Sequence, residues 1–257
     1  MRAAVLVIAC GMLAGAAQAA ADLSALDDAS LPGRNRYDRC LALAKQDAEQ
    51  ALKAAIAWDN VGGDGAAGHC TAVALVNLKR YPEAAARLDR LGHENLGNAE
   101  QRADVFDQAG NAWLLAHRGG DAVNSFSAAL ALSPHDPDLL GDRARADAML
   151  GDWRAADADL SAALARDADR ADLLVLRASA RHALGRKADA RADLEAALRI
   201  VPNYPEALLE RGTLKLEAGD IKGARADWQS VIARAKGSEA AQTAEQRLNA
   251  LPKGKAK

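Results

Sequence analysis

The stretch GGDGAAGHCT, from Gly62 to Thr71, holds the densest group of residues whose types and spacing could do chemistry. Gly63 and Gly68 have the G-x-x-x-x-G spacing of a phosphate-binding loop, whose backbone amides surround phosphate groups. That loop requires a lysine and then a serine or threonine after its second glycine, and here His69 and Cys70 follow instead. Without the lysine the phosphate charge is not neutralised, so the sequence predicts a flexible loop between helices rather than a nucleotide site.

Metal sites around the same stretch lack a complete set of ligands. Asp59 and Asp64 could belong to a calcium loop, but the ligand spacing fails and the closing glutamate position falls on Cys70. A site built on Cys40, His69 and Cys70 needs further ligands at a known spacing, and the sequence offers none. We therefore predict no metal and no cofactor.

The chain also lacks the arrangements typical of a nucleophilic enzyme. Serines are few, no G-x-S-x-G motif occurs, and no histidine pairs with a nucleophile at a recognisable spacing. We predict a protein without catalysis, and a reactive centre on Cys40, His69 and Cys70 is the remaining enzymatic alternative. The chain has five scattered histidines, and four of them lie in or beside predicted loops. The five are His69, His93, His117, His135 and His182. Five aromatic residues recur at packing positions and are predicted to belong to the core: Phe106, Trp113, Phe126, Trp153 and Trp228.

The first residues, 1–21, have the pattern of a secretory signal peptide: one positive charge, a short apolar run, and small residues with A-x-A spacing. Cys10 formally resembles a lipoprotein cleavage site, but cleavage there would leave too short an apolar segment, so we expect it to be removed with the signal. Export to the periplasm or beyond is the expected location. Two cysteines, Cys40 and Cys70, would remain, and an even number in an oxidising compartment favours a disulfide. Two separately buried thiols, or a metal site with His69, are the alternatives.

The composition favours helices and argues against nucleic acid. Aromatic residues make up only 4% of the chain while alanine and leucine dominate its apolar half, which suits closely packed helices better than strands. There are 33 basic and 35 acidic residues, and their signs alternate along the predicted helices instead of forming the basic patch that a polyanion requires. The basic C-terminal PKGKAK is predicted to be a solubilising tail. No later apolar run is long enough to span a membrane.

A repeat of 34 residues organises the rest of the chain. Gly151, Gly185 and Gly219 share this spacing, and apolar residues recur every three or four positions on both sides of each glycine, which predicts a helix hairpin in each repeat. The repeated columns are Ala122, Ala156, Ala190 and Ala224; Phe126, Leu160, Leu194 and Trp228; Ala129, Ala163, Ala197 and Val231; and Leu130, Leu164, Leu198 and Ile232.

These columns resemble the tetratricopeptide repeat (TPR), a 34-residue hairpin with small residues at positions 8, 20 and 27 and bulky ones at positions 4, 11 and 24. The resemblance implies an all-α fold, a right-handed α-solenoid of antiparallel helix hairpins. Small residues are needed where two helix backbones cross closely. The predicted organisation is a signal peptide at 1–21, a degenerate unit at 22–64, an irregular unit and linker at 65–102, four units at 103–136, 137–170, 171–204 and 205–237, and a capping helix and tail at 238–257.

One pair of columns predicts repeated ion pairs. Position 7 is Arg143, Arg177 and Arg211, and position 23 of the same units is Asp159, Asp193 and Asp227. Folding a hairpin about its central turn brings these two positions face to face, so we expect an arginine–carboxylate bridge inside each unit. An arginine ladder for an anionic ligand is the less favoured alternative, because each arginine has a matched acid.

The resemblance further implies a protein–protein interaction scaffold, since first-helix positions 2, 5, 9 and 12 of the family line a groove that holds peptides or other proteins. Acids dominate the corresponding positions here, which favours a basic or mixed-charge partner. An accessory subunit of an envelope assembly or secretion complex, with contacts through an edge or the convex face, is the alternative. The predicted groove residues are Asp104, Asp107, Asn111, Asp138, Arg145, Asp172, Ser179, His182, Glu206 and Thr213.

Overall fold

The structure is a computed structural model that describes residues 33–94 and 97–251. All regular secondary structure in these two ranges is helical, which confirms the predicted fold class. The predicted signal peptide, Cys10 and the PKGKAK tail lie outside the described residues. The chain divides into two compact units, Met1–Ser133 (unit 1) and Pro134–Lys257 (unit 2).

Unit 1 consists of helices that pack in succession. Helix α1 contacts α2 and α3, and α2, α3, α4 and α5 then each contact the next helix along the chain. One hydrophobic core cluster of unit 1 includes the buried residues Cys40, Leu52, Trp58 and Cys70. The helices are α1 (Gly33–Gln46), α2 (Ala48–Asp59), α3 (Asp64–Asn77), α4 (Tyr81–His93), α5 (Ala99–Leu115) and α6 (Gly119–Leu132).

Unit 2 repeats the same arrangement. Consecutive helices contact each other from α7 to α13, and the first helices of neighbouring hairpins, α7, α9 and α11, also contact in turn. The last helix, α13, packs on both α11 and α12. The helices are α7 (Pro137–Leu150), α8 (Trp153–Arg166), α9 (Ala171–Ala183), α10 (Lys187–Ile200), α11 (Pro205–Glu217), α12 (Ile221–Arg234) and α13 (Glu239–Ala250).

The repeated glycines of unit 2 lie at equivalent bends. Gly151, Gly185 and Gly219 have φ angles of 78°, 77° and 82°, a left-handed conformation that a side chain disfavours. Asp152 and Asp220 follow two of these glycines, and their carboxylates accept hydrogen bonds from the backbone amides of Ala155 and Gly223. These are the predicted N-caps.

The expected flexible loop at Gly62–Thr71 is wrong, because α3 begins at Asp64 and includes most of that stretch. Ala67, Gly68 and Cys70 are buried there. Tertiary packing therefore offsets the low helix propensity of the two glycines inside the helix, Gly65 and Gly68.

Close helix crossings explain which small residue each repeat carries. A Cβ atom added to Gly110 would lie 2.5 Å from the ring of Phe126, and one added to Gly212 would lie 2.4 Å from the ring of Trp228. Neither distance is compatible with van der Waals contact, so glycine faces each aromatic ring. The two sister repeats pair alanine with leucine at the same positions: Ala144 with Leu160 and Ala178 with Leu194.

Four of the five aromatic residues predicted for the core are buried. Phe106, Trp113, Phe126 and Trp228 are buried, as predicted, whereas Trp153 is half-buried because it is the first residue of α8.

The predicted arginine–carboxylate bridges are confirmed in all three repeats. Arg143, Arg177 and Arg211 each donate two hydrogen bonds from Nε and Nη2 to the two oxygens of their aspartates, at 2.7–3.0 Å: Asp159, Asp193 and Asp227 respectively. This two-point geometry is the strong form of an arginine–carboxylate contact.

A second cation joins the bridge in two repeats. Arg181 Nη1 donates to Asp193 at 2.7 Å, and Lys215 Nζ donates to Asp227 at 2.8 Å. Burial alone would raise the pKa of Asp227, but the hydrogen bonds from Arg211 and Lys215 hold it below its usual value. The corresponding residue of the first repeat of unit 2 is an acid, Asp147.

Asp147 occupies the position that Arg181 and Lys215 hold in the other two repeats. It therefore places a second carboxylate near Asp159 instead of a second cation. Burial, together with the nearby charge of Asp159, raises the pKa of Asp147 from 3.8 to about 6, while Arg143 acts in the opposite direction and Asp152 adds to the rise. Because the folded-state pKa lies above the ordinary value, the contribution of Asp147 to stability is present below about pH 4 and is lost as the pH rises through about 6.

We expect Asp147→Asn to be more stable than the parent by about 1 kcal/mol at neutral pH, a value reduced for solvent screening. This advantage should disappear near pH 4, where Asp147 is protonated. Urea unfolding of both proteins at the two pH values measures it, and an equal difference at both would contradict the assignment.

Candidate peptide-binding groove

Two clefts in unit 1 lie end to end along α3 and α5. The first has a volume of about 470 Å³ and is lined by polar side chains that include Tyr37, His69, Asp104 and Gln108. The second, of about 250 Å³, is lined mainly by apolar residues, and Gln108 belongs to both. On each helix the lining residues of the second cleft lie about two turns further toward the C-terminus, and because the clefts share Gln108 they form one continuous surface, the unit 1 groove. Its apolar half includes Val73, Val76, Leu88, Asn111 and Leu115.

A chain of hydrogen bonds connects three helices in the polar half. His69 Nε2 lies 2.8 Å from Gln108 Oε1, and His69 Nδ1 lies 2.7 Å from the hydroxyl of Tyr37. Because Gln108 Oε1 can only accept, Nε2 is the donor, and Nδ1 of a neutral imidazole then accepts from the Tyr37 hydroxyl. Burial, followed by the charge of Asp38, raises the pKa of Tyr37, so the phenol keeps its proton.

The apolar half is accessible to a ligand side chain. Leu115 remains 53% exposed at its edge, while Leu88 beneath is buried. A branched or aromatic side chain placed there would bury the exposed part of Leu115, together with Val73 and Val76, and gain about 25 cal/mol per Å² of apolar area.

The predicted groove residues of unit 1 lie in or beside the groove. Asp104 is exposed in the polar half and Asn111 lines the apolar half. Asp107 does not line either cleft but accepts a hydrogen bond at 3.1 Å from the side chain of Asn111.

Sequence reasoning missed the α1 and α3 side of the groove. In a unit that starts at Gly65, family positions 2, 5, 9 and 12 fall on Ala66, His69, Val73 and Val76. All four line the groove. The same positional rule would have found them had it been applied to the irregular unit, whereas Tyr37 on α1 carried no such signal.

Two of the three predicted groove acids of unit 2, Asp138 and Asp172, are already paired. Arg170 donates to Asp138 from Nη1 at 2.8 Å, and to Asp172 from Nε and Nη2 at 3.0 and 2.9 Å. These hydrogen bonds lower the pKa of Asp172. Arg145, also predicted for the groove, forms an ion pair with Asp142 on its own helix. Unit 2 therefore offers less unpaired negative charge than its sequence suggests.

The remaining predicted residues of unit 2 also have partners or lie at the surface. His182 Nε2 lies 3.0 Å from Glu217, which also pairs with Lys187 at 2.7 Å. The hydroxyl of Ser179 donates to the carbonyl of Val175. Glu206 is exposed in the first turn of α11.

The last helix, α13, covers part of the predicted groove surface in unit 2. Arg247 of α13 contacts the hydroxyl of Thr213 and lies 3.3 Å from the carbonyl oxygen of Leu209. Arg247 also lies 3.6 Å from Glu210. The Thr213 hydroxyl is therefore in contact with Arg247 of the same chain and is not open to a ligand.

The residues considered for covalent or metal chemistry have structural partners. Cys40 and Cys70 form a disulfide with their Cα atoms 6.1 Å apart, and both residues are fully buried. Neither sulfur is a thiolate, and His69 is held between Tyr37 and Gln108. Among the described residues no cluster of three or more histidine, cysteine or acidic side chains could hold a metal ion. No helix in the described ranges is long and apolar enough to cross a membrane.

Comparison with solved structures identifies the fold. The C-terminal part of a TPR-containing protein from Cytophaga hutchinsonii matches with a TM-score of 0.65 and 13% identity, over 90% of this chain and 96% of that one. MamA from Desulfovibrio magneticus RS-1 matches with a TM-score of 0.57 and 16% identity, over 72% and 97%. YrrB, described as a TPR protein with an unusual peptide-binding site, matches with a TM-score of 0.54 and 16% identity, over 74% and 96%.

The chain therefore has the fold of the TPR solenoid proteins, as the repeat predicted. No protein-family model matches the sequence. No curated protein matches it either.

Proposed function

We propose that this protein is a non-catalytic scaffold that binds an extended segment of another protein in the unit 1 groove. The observation that carries the proposal is the continuity of a polar cleft and an apolar cleft along α3 and α5, with Gln108 in both. Extended peptides bind such surfaces through backbone hydrogen bonds and through side chains placed in successive pockets.

The charges and shape of the groove favour a particular ligand. Asp104 supplies an exposed carboxylate in the polar half, and Val73, Val76 and Leu115 supply the apolar half. A segment with a basic residue followed by a large apolar residue matches both halves. Its basic residue would lie beside Asp104, and its apolar residue beside Leu115.

The proposal includes export. Disulfides such as Cys40–Cys70 persist in oxidising compartments such as the bacterial periplasm, and the signal-like residues 1–21 would direct the chain there.

Peptide selection tests the groove. A random-peptide display library is selected on the oxidised full chain, and the selected peptides are measured against Asp104→Lys. We expect enrichment of peptides with a basic residue and at least about a tenfold loss of affinity in the variant, because a favourable charge contact becomes repulsive. Glu49→Lys makes the same charge change on α2, which lines neither cleft, and should leave affinity within about twofold. Equal affinities for all three proteins would reject the groove.

A second candidate is an accessory subunit that contacts its partner through another face. A separate depression of about 410 Å³ between α2 and α4 has apolar residues, among them Leu52 and Ile56, on α2 and arginines on α4. Ile56 is 48% exposed there. If Ile56→Glu abolishes binding of a partner while Asp104→Lys does not, this candidate replaces the first.

A further inference from the structure

Helix α1 forms one wall of the unit 1 groove and is joined covalently to α3. Its buried side chains are Arg36, Cys40, Leu43 and Ala44, and the partly buried Tyr37 and Leu41 pack against the same core. A hydrogen bond of 2.8 Å from the Asn77 amide to the carbonyl of Ala44 adds one polar contact near its C-terminus. The disulfide adds a covalent link to this packing and limits how far α1 can move from α3.

The disulfide lies directly beside the polar half of the groove. Tyr37 precedes Cys40 by three residues on α1, about one helical turn, and His69 immediately precedes Cys70 on α3. The 2.7 Å contact between Tyr37 and His69 thus spans the same two helices as the covalent bond. Displacement of α1 would remove the Tyr37 hydroxyl from His69.

The orientation of Gln108 depends on this contact. While Nδ1 of His69 accepts from Tyr37, Nε2 carries the proton that binds Gln108 Oε1. The amide NH₂ of Gln108 is then the end left for a ligand, suited to donate to a peptide carbonyl. If Tyr37 moves away, nothing among these three residues holds the imidazole in that tautomer, and the donor side of Gln108 is no longer fixed.

We propose that the Cys40–Cys70 disulfide is a redox latch of the unit 1 groove, so that the oxidised chain binds its ligand and the reduced chain binds it weakly. The inference rests on the proposed function, because it regulates that same groove. When the reduced chain binds a ligand, it must order α1 at a cost in conformational entropy. In the oxidised chain the disulfide has already ordered α1, so binding does not carry this cost.

The reducing partner is a dithiol of the thioredoxin class. Its thiolate attacks one Sγ, the Sγ–Sγ bond breaks and a mixed disulfide forms, and its second thiolate then releases the protein. Two electrons and two protons convert the bridge into the thiols of Cys40 and Cys70, and the reductant becomes a disulfide. Both cysteines are fully buried, so attack requires local opening of the packing around the bridge.

Ligand and disulfide should stabilise each other. A ligand that contacts Tyr37, His69 and Gln108 holds α1 in place, and thermodynamic linkage makes the effect reciprocal. If oxidation raises affinity tenfold, saturating ligand lowers the reduction potential of the disulfide by about 30 mV.

The experiment uses the full chain, oxidised, reduced with a phosphine, and as Cys40→Ala/Cys70→Ala. Amide hydrogen exchange and ¹⁵N signals of the His69 ring are recorded without ligand. In the reduced form and the double variant we expect α1 amides to exchange at least about tenfold faster, α6 amides to be unchanged, and the Nδ1 signal of His69 to change. Identical α1 exchange and His69 signals in all forms would overturn the latch, and so would equal affinity of the selected peptides for the oxidised and reduced forms.

The latch and the proposed function fail in different ways. If no peptide is selected, the proposed binding function fails, while the exchange rates and His69 signals still decide whether the disulfide controls α1. Tyr37→Phe retains the disulfide and removes the hydroxyl, and we expect it to lower peptide affinity without releasing α1. Unchanged affinity in this variant would overturn the route through Tyr37 and His69.

Discussion

Asp193→Ala is expected to lower the unfolding free energy of unit 2 by about 4 kcal/mol, because it leaves a largely buried arginine without its carboxylate. Within the described residues, Arg177 gives two strong hydrogen bonds to Asp193 and otherwise has a 3.4 Å contact with Ser161. Arg181 also loses a bond but keeps Asp157. Urea unfolding followed by circular dichroism measures the change.

The stranded charge can be separated from the loss of a contact. Arg177→Ala/Asp193→Ala removes both charges and should be less destabilising than Asp193→Ala alone. Asp189→Ala is the matched control on the same helix, because Asp189 forms an ion pair with Arg186 but is 50% exposed, and it should change stability by less than about 0.5 kcal/mol. If the double variant is less stable than Asp193→Ala, then an unpaired Arg177 carries no extra penalty, and the bridge stabilises the fold only by the attraction between its two charges.

Ala190→Leu is expected to destabilise the protein by about 2 to 3 kcal/mol through overpacking. Ala190 is fully buried on α10, at the small-residue position of the repeat. A leucine adds three carbon atoms where the neighbouring helices leave no room, so the hairpin must open or shift. Thermal unfolding should show the loss, and the equivalent substitution at Ala156, which is 1% exposed, should behave in the same way.

The control for overpacking lies two residues away. Ala188→Leu makes the same chemical change on the exposed side of α10 and should leave the melting temperature nearly unchanged. Leucine and alanine also have similar helix propensities, so backbone preference does not account for a difference. An unchanged melting temperature for both variants would mean that Ala190 is not at a helix crossing.

The two units differ in what they offer a partner. In unit 2, the acids Asp138 and Asp172 share Arg170, and Thr213 carries a contact from Arg247. In unit 1, Asp104 is an exposed carboxylate that lines a cleft. The proposed binding site therefore lies in unit 1, although the repeats of unit 2 are the more regular in sequence.

Local rules made much of the fold predictable. Glycine at 151, 185 and 219 favours the left-handed bend, which Lys79 and His117 adopt at the same repeat position without glycine, and an aspartate directly after the bend at Gly151 and Gly219 caps the next helix. The bridge between positions 7 and 23 was also predictable, because both residues belong to one hairpin and its geometry follows from the turn. The same rules failed at Gly65 and Gly68, where burial rather than propensity maintains the helix.

The amino-acid sequence by itself determined the repeat, its helix hairpins, their caps and their internal ion pairs, since each depends on residues close along the chain. Only the tertiary structure decided how helices of different hairpins complete one another. Tyr37, His69 and Gln108 come from three hairpins, and Arg170 joins acids that are 34 residues apart. Such contacts depend on the angle and distance between packed helices, which periodicity in one chain segment does not specify.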